Sequence, residues 1–207
     1  MTSGNDRRFA ALMLLGALAL AAAASGSAAE GDGAGTGWGM KQLMADLARV
    51  KSSTARFTER KYMKVLSGPL ELSGTLVYTA PDRLERNTLL PKPESMVVDR
   101  DTLTLESKGG QQRRTLALHD YPAIWAFVES IRGTLAGDRQ SLDRFYRVTL
   151  EGKADRWRLL LTPTEPAMQA LVSSIRIDGG GSRIDRIEIY EADGDYSVMT
   201  VNAETAR

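Results

Sequence analysis

The feature that most constrains the fold is a series of short strand-like segments, each of which ends at a turn signal. Six such segments follow one another between residues 55 and 118, and five more lie between residues 146 and 202. Within them apolar and polar residues alternate, which is the pattern of a strand with one buried face. Pairs such as Pro81-Asp82 and Gly109-Gly110 separate the segments, and turns this short join antiparallel neighbours. The sequence therefore predicts a sheet of about eleven antiparallel strands.

Few helices are available to cover so large a sheet. Helical periodicity predicts a first helix over residues 40–51, a second that ends at residue 137, a short third to residue 145 and a brief turn over residues 164–172. A sheet of eleven strands normally curls or closes. We therefore predict a mainly β protein of the α+β class, a curved half-barrel with helices over its mouth. Its interior is either filled with side chains or kept as a pocket.

The N-terminal residues have the pattern of an export signal. Arg7 and Arg8 precede an apolar run, and Ser27-Ala28-Ala29 places small residues where signal peptidase cuts. A membrane anchor is the alternative, but a span needs roughly 20 apolar residues and this run is shorter. We predict a cleaved signal peptide at residues 1–29, a flexible lead-in at residues 30–39 and one domain at residues 40–207. Because an exported chain without cysteine needs no oxidative folding, we expect it in the bacterial periplasm.

Composition argues against most catalytic chemistry. The chain contains no cysteine and a single histidine, His119, so thiol nucleophiles and sites rich in cysteine or histidine are excluded. No serine lies in a G-x-S-x-G turn, which makes a hydrolase the weakest of the functions considered. With 27 Lys and Arg residues against 26 Asp and Glu residues, no global field attracts nucleic acid. We predict no enzymatic activity, no catalytic residue, no metal and no cofactor.

A set of short motifs gives a family resemblance. In chain order the motifs are Phe57-Thr58-Glu59, Ser73-Gly74-Thr75-Leu76, Pro81-Asp82-Arg83-Leu84, Pro91-Lys92-Pro93-Glu94, Leu161-Thr162-Pro163, Ile175-Arg176-Ile177-Asp178 and Arg186-Ile187-Glu188-Ile189. In this order and spacing they resemble the LolA family of bacterial outer-membrane lipoprotein carriers, over nearly all of the chain after the signal. The resemblance implies an unclosed antiparallel β-barrel with a helical lid, which binds acyl chains in a hydrophobic cavity.

The resemblance also implies partners. Members of the family ferry lipidated cargo through the periplasm, from an inner-membrane exporter to an outer-membrane acceptor. We therefore expect a monomeric carrier for a lipoprotein, a glycolipid or another acylated product, with a lipid-sensing regulatory module as the alternative. One departure concerns the lid, because Ala80 stands where the best-known carrier has an arginine that ties the lid shut.

The inward-facing apolar positions are the candidate lining of such a cavity. The predicted cavity residues are Leu72, Leu76, Tyr78, Met96, Val98, Leu103, Leu105, Leu116, Leu118, Leu159, Leu161, Ile187 and Ile189, and the predicted lid residues are Ile124, Trp125 and Val128. For each of them ordinary core packing is the alternative, since the same alternation builds a filled barrel. Because these side chains offer aliphatic surface and almost no charge, we expect acyl chains to bind with little head-group selectivity.

Overall fold

Eleven strands pair in one antiparallel sheet within residues 37–203, the part of the chain that the computed structural model describes. The strands are β1 (Ser52–Tyr62), β2 (Leu70–Thr79), β3 (Arg83–Leu90), β4 (Glu94–Asp99), β5 (Thr102–Ser107), β6 (Gln112–Ala117), β7 (Tyr146–Lys153), β8 (Arg156–Pro163), β9 (Val172–Gly180), β10 (Arg183–Glu191) and β11 (Tyr196–Ala203). Their order in the sheet is β6-β5-β4-β3-β2-β1-β11-β10-β9-β8-β7, so β6 and β7 are edges that do not pair with each other. The prediction of an unclosed, mainly β fold is confirmed. The predicted signal peptide and residues 30–36 of the lead-in lie outside the described residues.

Four α-helices accompany the sheet in the described part of the chain. They are α1 (Met40–Leu47), α2 (Pro122–Ala136), α3 (Arg139–Phe145) and α4 (Pro166–Gln169). The first helix ends at Leu47 instead of residue 51, and β1 starts at Ser52 instead of Ala55. The reason is pairing, because the segment from Ser52 to Ala55 forms ladder partners with β2. At its other end β1 stops at Tyr62, four residues earlier than expected, where the chain turns towards β2.

The apolar side chains of the inner face form two clusters. The larger one lies mainly on β7 to β11 and contains the fully buried Trp157, whose indole N–H donates to the carbonyl of Gly181 at 2.9 Å. Leu43 and Leu47 of α1 belong to this cluster, and Trp38 of the lead-in packs against it. The smaller cluster lies on β4 to β6 and includes Val128 of α2. The helices therefore cover the concave side of the sheet.

Helix α2, called the lid below, belongs to the connection between the two sheet edges, since it follows β6 and precedes β7. Two hydrogen bonds tie it to the sheet. The Tyr146 hydroxyl at the start of β7 donates to the carbonyl of Ala126 at 3.0 Å. Arg132 Nη1 donates to the carbonyl of Arg100 in the β4–β5 turn at 2.8 Å. The lid is thus held on opposite halves of the sheet.

Gly137 ends the lid and sets its contact with α1. The residue has a φ of 65°, the left-handed conformation that favours glycine after a helix. A Cβ atom at this position would lie 2.0 Å from the carbonyl oxygen of Met44 in α1. The backbones of the two helices therefore approach each other as closely as they do because no side chain stands between them.

We expect Gly137→Ala to destabilise the protein more than Gly181→Ala. Gly181 has a φ of 57° and open space around its Cα, so alanine there brings only the left-handed strain of about 1–2 kcal/mol. At position 137 the collision with α1 adds roughly 1–3 kcal/mol of overpacking. Urea unfolding of both variants measures the difference. Equal losses would show that α1 and α2 do not pack in this way.

Candidate functional site

A cavity of about 770 Å³ lies between the inner face of the sheet and the helices. This volume falls within the range of roughly 300–1,000 Å³ that is typical of small-molecule sites. Apolar residues of the sheet and of both long helices form much of its wall. They include Leu47, Val50, Leu72, Leu76, Leu84, Met96, Leu105, Phe127, Val128, Ile131, Leu135, Ile184, Ile187, Met199 and Val201.

The predicted site residues divide between this cavity and the packed core. The cavity wall includes Leu72, Leu76, Tyr78, Met96, Val98, Leu105, Ile187, Ile189 and, from the lid, Val128. Leu103, Leu116 and Leu118 lie in the β4–β6 cluster, against which Ile124 and Trp125 pack, and Leu159 and Leu161 lie in the larger cluster. Alternation alone does not separate the two groups, because core and cavity residues share one face of each strand.

Sequence reasoning missed the contributions of α1 and of the middle of the lid. Leu47 of α1, together with Phe127 and Ile131 of the lid, lines the cavity. All three lie in helical segments that the sequence predicts. The missing information was which side of each helix faces empty space and which faces packed side chains.

Polarity changes along the inner face of β2 to β6. The layer nearest the lid is apolar and consists of the paired residues Tyr78, Leu84, Val98, Leu103 and Leu116. The next layer along the strands is mixed and consists of Leu76, Arg86, Met96, Leu105 and Arg114. The third layer is polar and consists of Gly74, Thr88, Glu94, Ser107 and Gln112. The cavity therefore has an apolar end under the lid and a polar end, where β1, β3 and β5 finish.

A buried ion pair stands in the middle of this gradient. Arg86 lines the cavity, and its Nη2 donates to Glu59 Oε2 at 2.6 Å. The Glu59 side chain is fully buried on β1, and the guanidinium lies 4.5 Å from the centre of the Phe57 ring. The expectation of an interior with almost no charge is wrong. Glu59 belongs to the family motif Phe57-Thr58-Glu59, and strand alternation turns it inward together with Phe57.

Lys61 is a second buried cation on the same wall. It is 7% exposed, and its ammonium forms no hydrogen bond or salt bridge that joins it to another residue of the described range. Burial lowers the pKa of Lys61 from its usual 10.5 to about 8, with Glu59, Glu94 and Glu191 opposing this change and Arg86 adding to it. Alternation contained a usable signal, because Lys61 follows the buried Phe57 and Glu59 at steps of two along β1.

The described residues contain few other groups that could act in catalysis or bind a metal ion. His119 is exposed and lies 3.3 Å from the Asp120 carboxylate at the surface. Within residues 37–203, no three histidine or carboxylate side chains converge to hold a metal ion. Among the helices of that range, none combines the length and hydropathy needed to cross a bilayer.

Comparison with known proteins gives one family match. A family model described as outer membrane lipoprotein carrier protein LolA-like matches residues 32–207. No curated protein matches the sequence. The match spans the whole described sheet and its helices.

Solved structures of similar shape share little sequence with this chain. A LolA superfamily protein from Nitrosomonas europaea is 13% identical with a TM-score of 0.44, over 81% of this chain and 93% of that one. A domain described as an outer membrane lipoprotein-sorting protein, from Vibrio parahaemolyticus, is 10% identical with a TM-score of 0.43, over 81% and 92%. The MucA/MucB complex of Pseudomonas aeruginosa contains a chain that is 14% identical with a TM-score of 0.42, and the alignment spans 81% of this chain and 58% of that one.

We expect Lys61→Met to stabilise the protein at neutral pH. The folded pKa of Lys61 lies below the unfolded one, so the unfolded chain binds more protons between about pH 8 and 10.5. The cost of the buried ammonium is therefore complete below pH 8 and disappears towards pH 10.5. The gain should be about 1–3 kcal/mol at pH 7 and shrink across that window.

Urea unfolding at pH 7 and pH 10 measures this difference between variant and wild type. Lys41→Met, on the exposed side of α1, is the control and should change stability by less than about 0.5 kcal/mol. A destabilised Lys61→Met variant at pH 7 would show that the ammonium has a favourable partner in the fold.

Proposed function

The chain belongs to the LolA-like family of outer membrane lipoprotein carrier proteins, and we propose that it carries lipidated molecules by enclosing their acyl chains in the cavity. The family is one of binding and carrier proteins. The observation that carries the proposal is a cavity of about 770 Å³ with apolar walls beneath a helical lid. Each methylene group removed from water contributes about 0.8 kcal/mol, so an acyl chain crosses an aqueous compartment readily only inside such a wall.

Transfer between membranes is the second part of the proposal. The export-signal pattern of residues 1–29 supports a periplasmic location, where cargo would pass from an inner-membrane exporter to an outer-membrane acceptor. Exposed apolar side chains support contact with such partners, because Val65 and Leu66 in the β1–β2 turn lie at the same end of the sheet as Leu89 and Leu90 of β3. A lipid-sensing module differs from a carrier in one measurable property, since only a carrier moves lipid between two vesicle populations.

Filling the cavity should abolish acyl-chain binding. Met96→Trp places a large ring in the cavity wall, and we expect it to weaken the binding of a fluorescent fatty-acid analogue tenfold or more. Val97→Trp is the matched control, because neighbouring residues of a strand point to opposite faces and Val97 is absent from the cavity wall. Fluorescence titration of both variants tests the proposal. Undiminished binding by Met96→Trp, or no binding by the wild type, would contradict it.

The lid tie should control release. Arg132→Met removes the hydrogen bond to the Arg100 carbonyl, and a charged hydrogen bond contributes about 1.5–3 kcal/mol, so release should accelerate roughly tenfold or more. Glu129→Gln is the control, since it removes the negative charge of the partner that Arg132 has within the lid and leaves the tie to Arg100. Stopped-flow dissociation of the bound probe gives both rates. Similar rates in the two variants would mean that this tie does not gate the cavity.

A further inference from the structure

The cavity contains two cationic side chains, Lys61 and Arg86, whose hydrogen-bond donors are not all paired within the described residues. Lys61 lines the wall with its ammonium near Glu59 and Arg86, and no salt bridge joins it to any residue between 37 and 203. A charge this deeply buried is costly unless a partner accompanies it. If Lys61 served only to fill space, a methionine would pack here equally well without the cost of a buried charge.

Arg86 has hydrogen-bond donors to spare. A guanidinium carries five N–H groups. Within the described residues, Nη2 donates to Glu59 and Nε lies 3.5 Å from the Thr88 hydroxyl. Nη1 has no hydrogen-bond partner among residues 37–203, and the side chain borders the cavity with 18% of its area exposed. Guanidinium groups suit the two oxygens of a carboxylate or a phosphate.

An independent observation at the same end also points to a polar ligand. The Ser197 side chain lines the cavity, the residue is 1% exposed, and its hydroxyl has no hydrogen-bond partner in the described structure. Ser197 pairs with Lys61 across β11 and β1, so both side chains belong to one layer. Glu59 Oε1, one layer away, is buried without a partner as well. Buried polar atoms are rarely left unpaired unless a ligand or water completes them.

The charges around the cavity indicate that the ligand is negatively charged. Three carboxylates act on Lys61, of which Glu59, on the same strand, is already bound by Arg86, and Glu94 is half-buried on β4. The third, Glu191, lies at the end of β10 and is half-buried too. Over the cavity wall as a whole, five cations (Lys61, Arg86, Arg113, Arg114 and Arg183) face three carboxylates (Glu85, Glu94 and Glu106). Glu59, bound by Arg86, is a fourth carboxylate, so the charge balance around the cavity is positive.

We propose that Lys61 and Arg86 bind the negatively charged head group of an amphiphile, a carboxylate or a phosphate, while its acyl chain lies along the apolar layers towards the lid. This inference rests on the proposed acyl-chain function and adds the class and orientation of the ligand. The gradient from the apolar layer at Val98 to the polar layer at Thr88 and Glu94 matches the two ends of such a molecule. The carrier is therefore selective for charge at one end and tolerant of chain type at the other.

The experiment compares ligands that share a twelve-carbon chain and differ in charge. Dodecanoate, dodecanol and dodecyltrimethylammonium are titrated against the full mature protein at pH 7, by displacement of an uncharged fluorescent probe. Dodecanoate should bind at least tenfold more tightly than the other two. Dodecyl phosphate is added to separate the two sources of negative charge, and tighter binding by either anion supports the proposal. Equal affinities across the three charges would overturn it, whereas no binding by any of the compounds would overturn the acyl-chain function itself.

Substitutions of lysine residues test whether Lys61 is the source of the preference for an anionic ligand. Lys61→Met should reduce dodecanoate affinity about tenfold and leave dodecanol affinity within twofold, and Lys61→Arg should keep the preference for the anion. Lys64→Met is the control, because Lys64 is exposed beyond the end of β1 and bonds to the carbonyl of Asp193. An equal loss for all ligands in Lys61→Met, or the same anion-specific loss in Lys64→Met, would refute the assignment.

Discussion

The structure depends on one constraint, which is that the two edges of its sheet never meet. Eleven strands curve far enough to create an inside, but β6 and β7 remain apart, and the chain must cross from one to the other. The lid makes this crossing, anchored to β7 through Tyr146 and to the β4–β5 turn through Arg132. The side chains beneath the lid do not fill the space between it and the sheet, so the same crossing that closes the hydrophobic interior also bounds the cavity.

Folding stability explains the apolar wall of the cavity better than it explains the buried charges. Removing one partner of a buried ion pair typically costs about 3–5 kcal/mol, yet replacing the whole pair by apolar residues is often neutral or stabilising. The Glu59–Arg86 pair is thus held firmly once formed, but its presence is weak evidence for a role in stability. Burial lowers the pKa of Lys61 to about 8, so the buried ammonium of this residue does not favour the folded state either. Charges that line the cavity and contribute little net stability are best understood through what the cavity binds.

Family membership and the physical description agree on the general role and differ in detail. The family match supports a lipid- or lipoprotein-binding protein, and the lid and the apolar layers fit that role. The position that holds a lid-tying arginine in the best-known carrier is Ala80 here, in the β2–β3 turn, where its amide N–H donates to the carbonyl of Lys51. In this chain Arg132, on the lid itself, makes the connection to a sheet turn.

The amino-acid sequence by itself determined the class of fold, because strand alternation and turn residues are local signals. It placed eleven strands and the lid helix, and its motifs identified the family. It also predicted Leu76, Met96 and Ile187 as cavity residues, and these three line the cavity. The sequence could not separate them from Leu103 or Leu159, since a residue's face is a local property but the emptiness opposite it is not. Nor could it show that Glu59 and Arg86, 27 positions apart, meet inside the barrel. Only the curvature of the sheet, which brings β1 and β3 around one interior, decided which inward residues pack, which line a cavity and which carry charge into it.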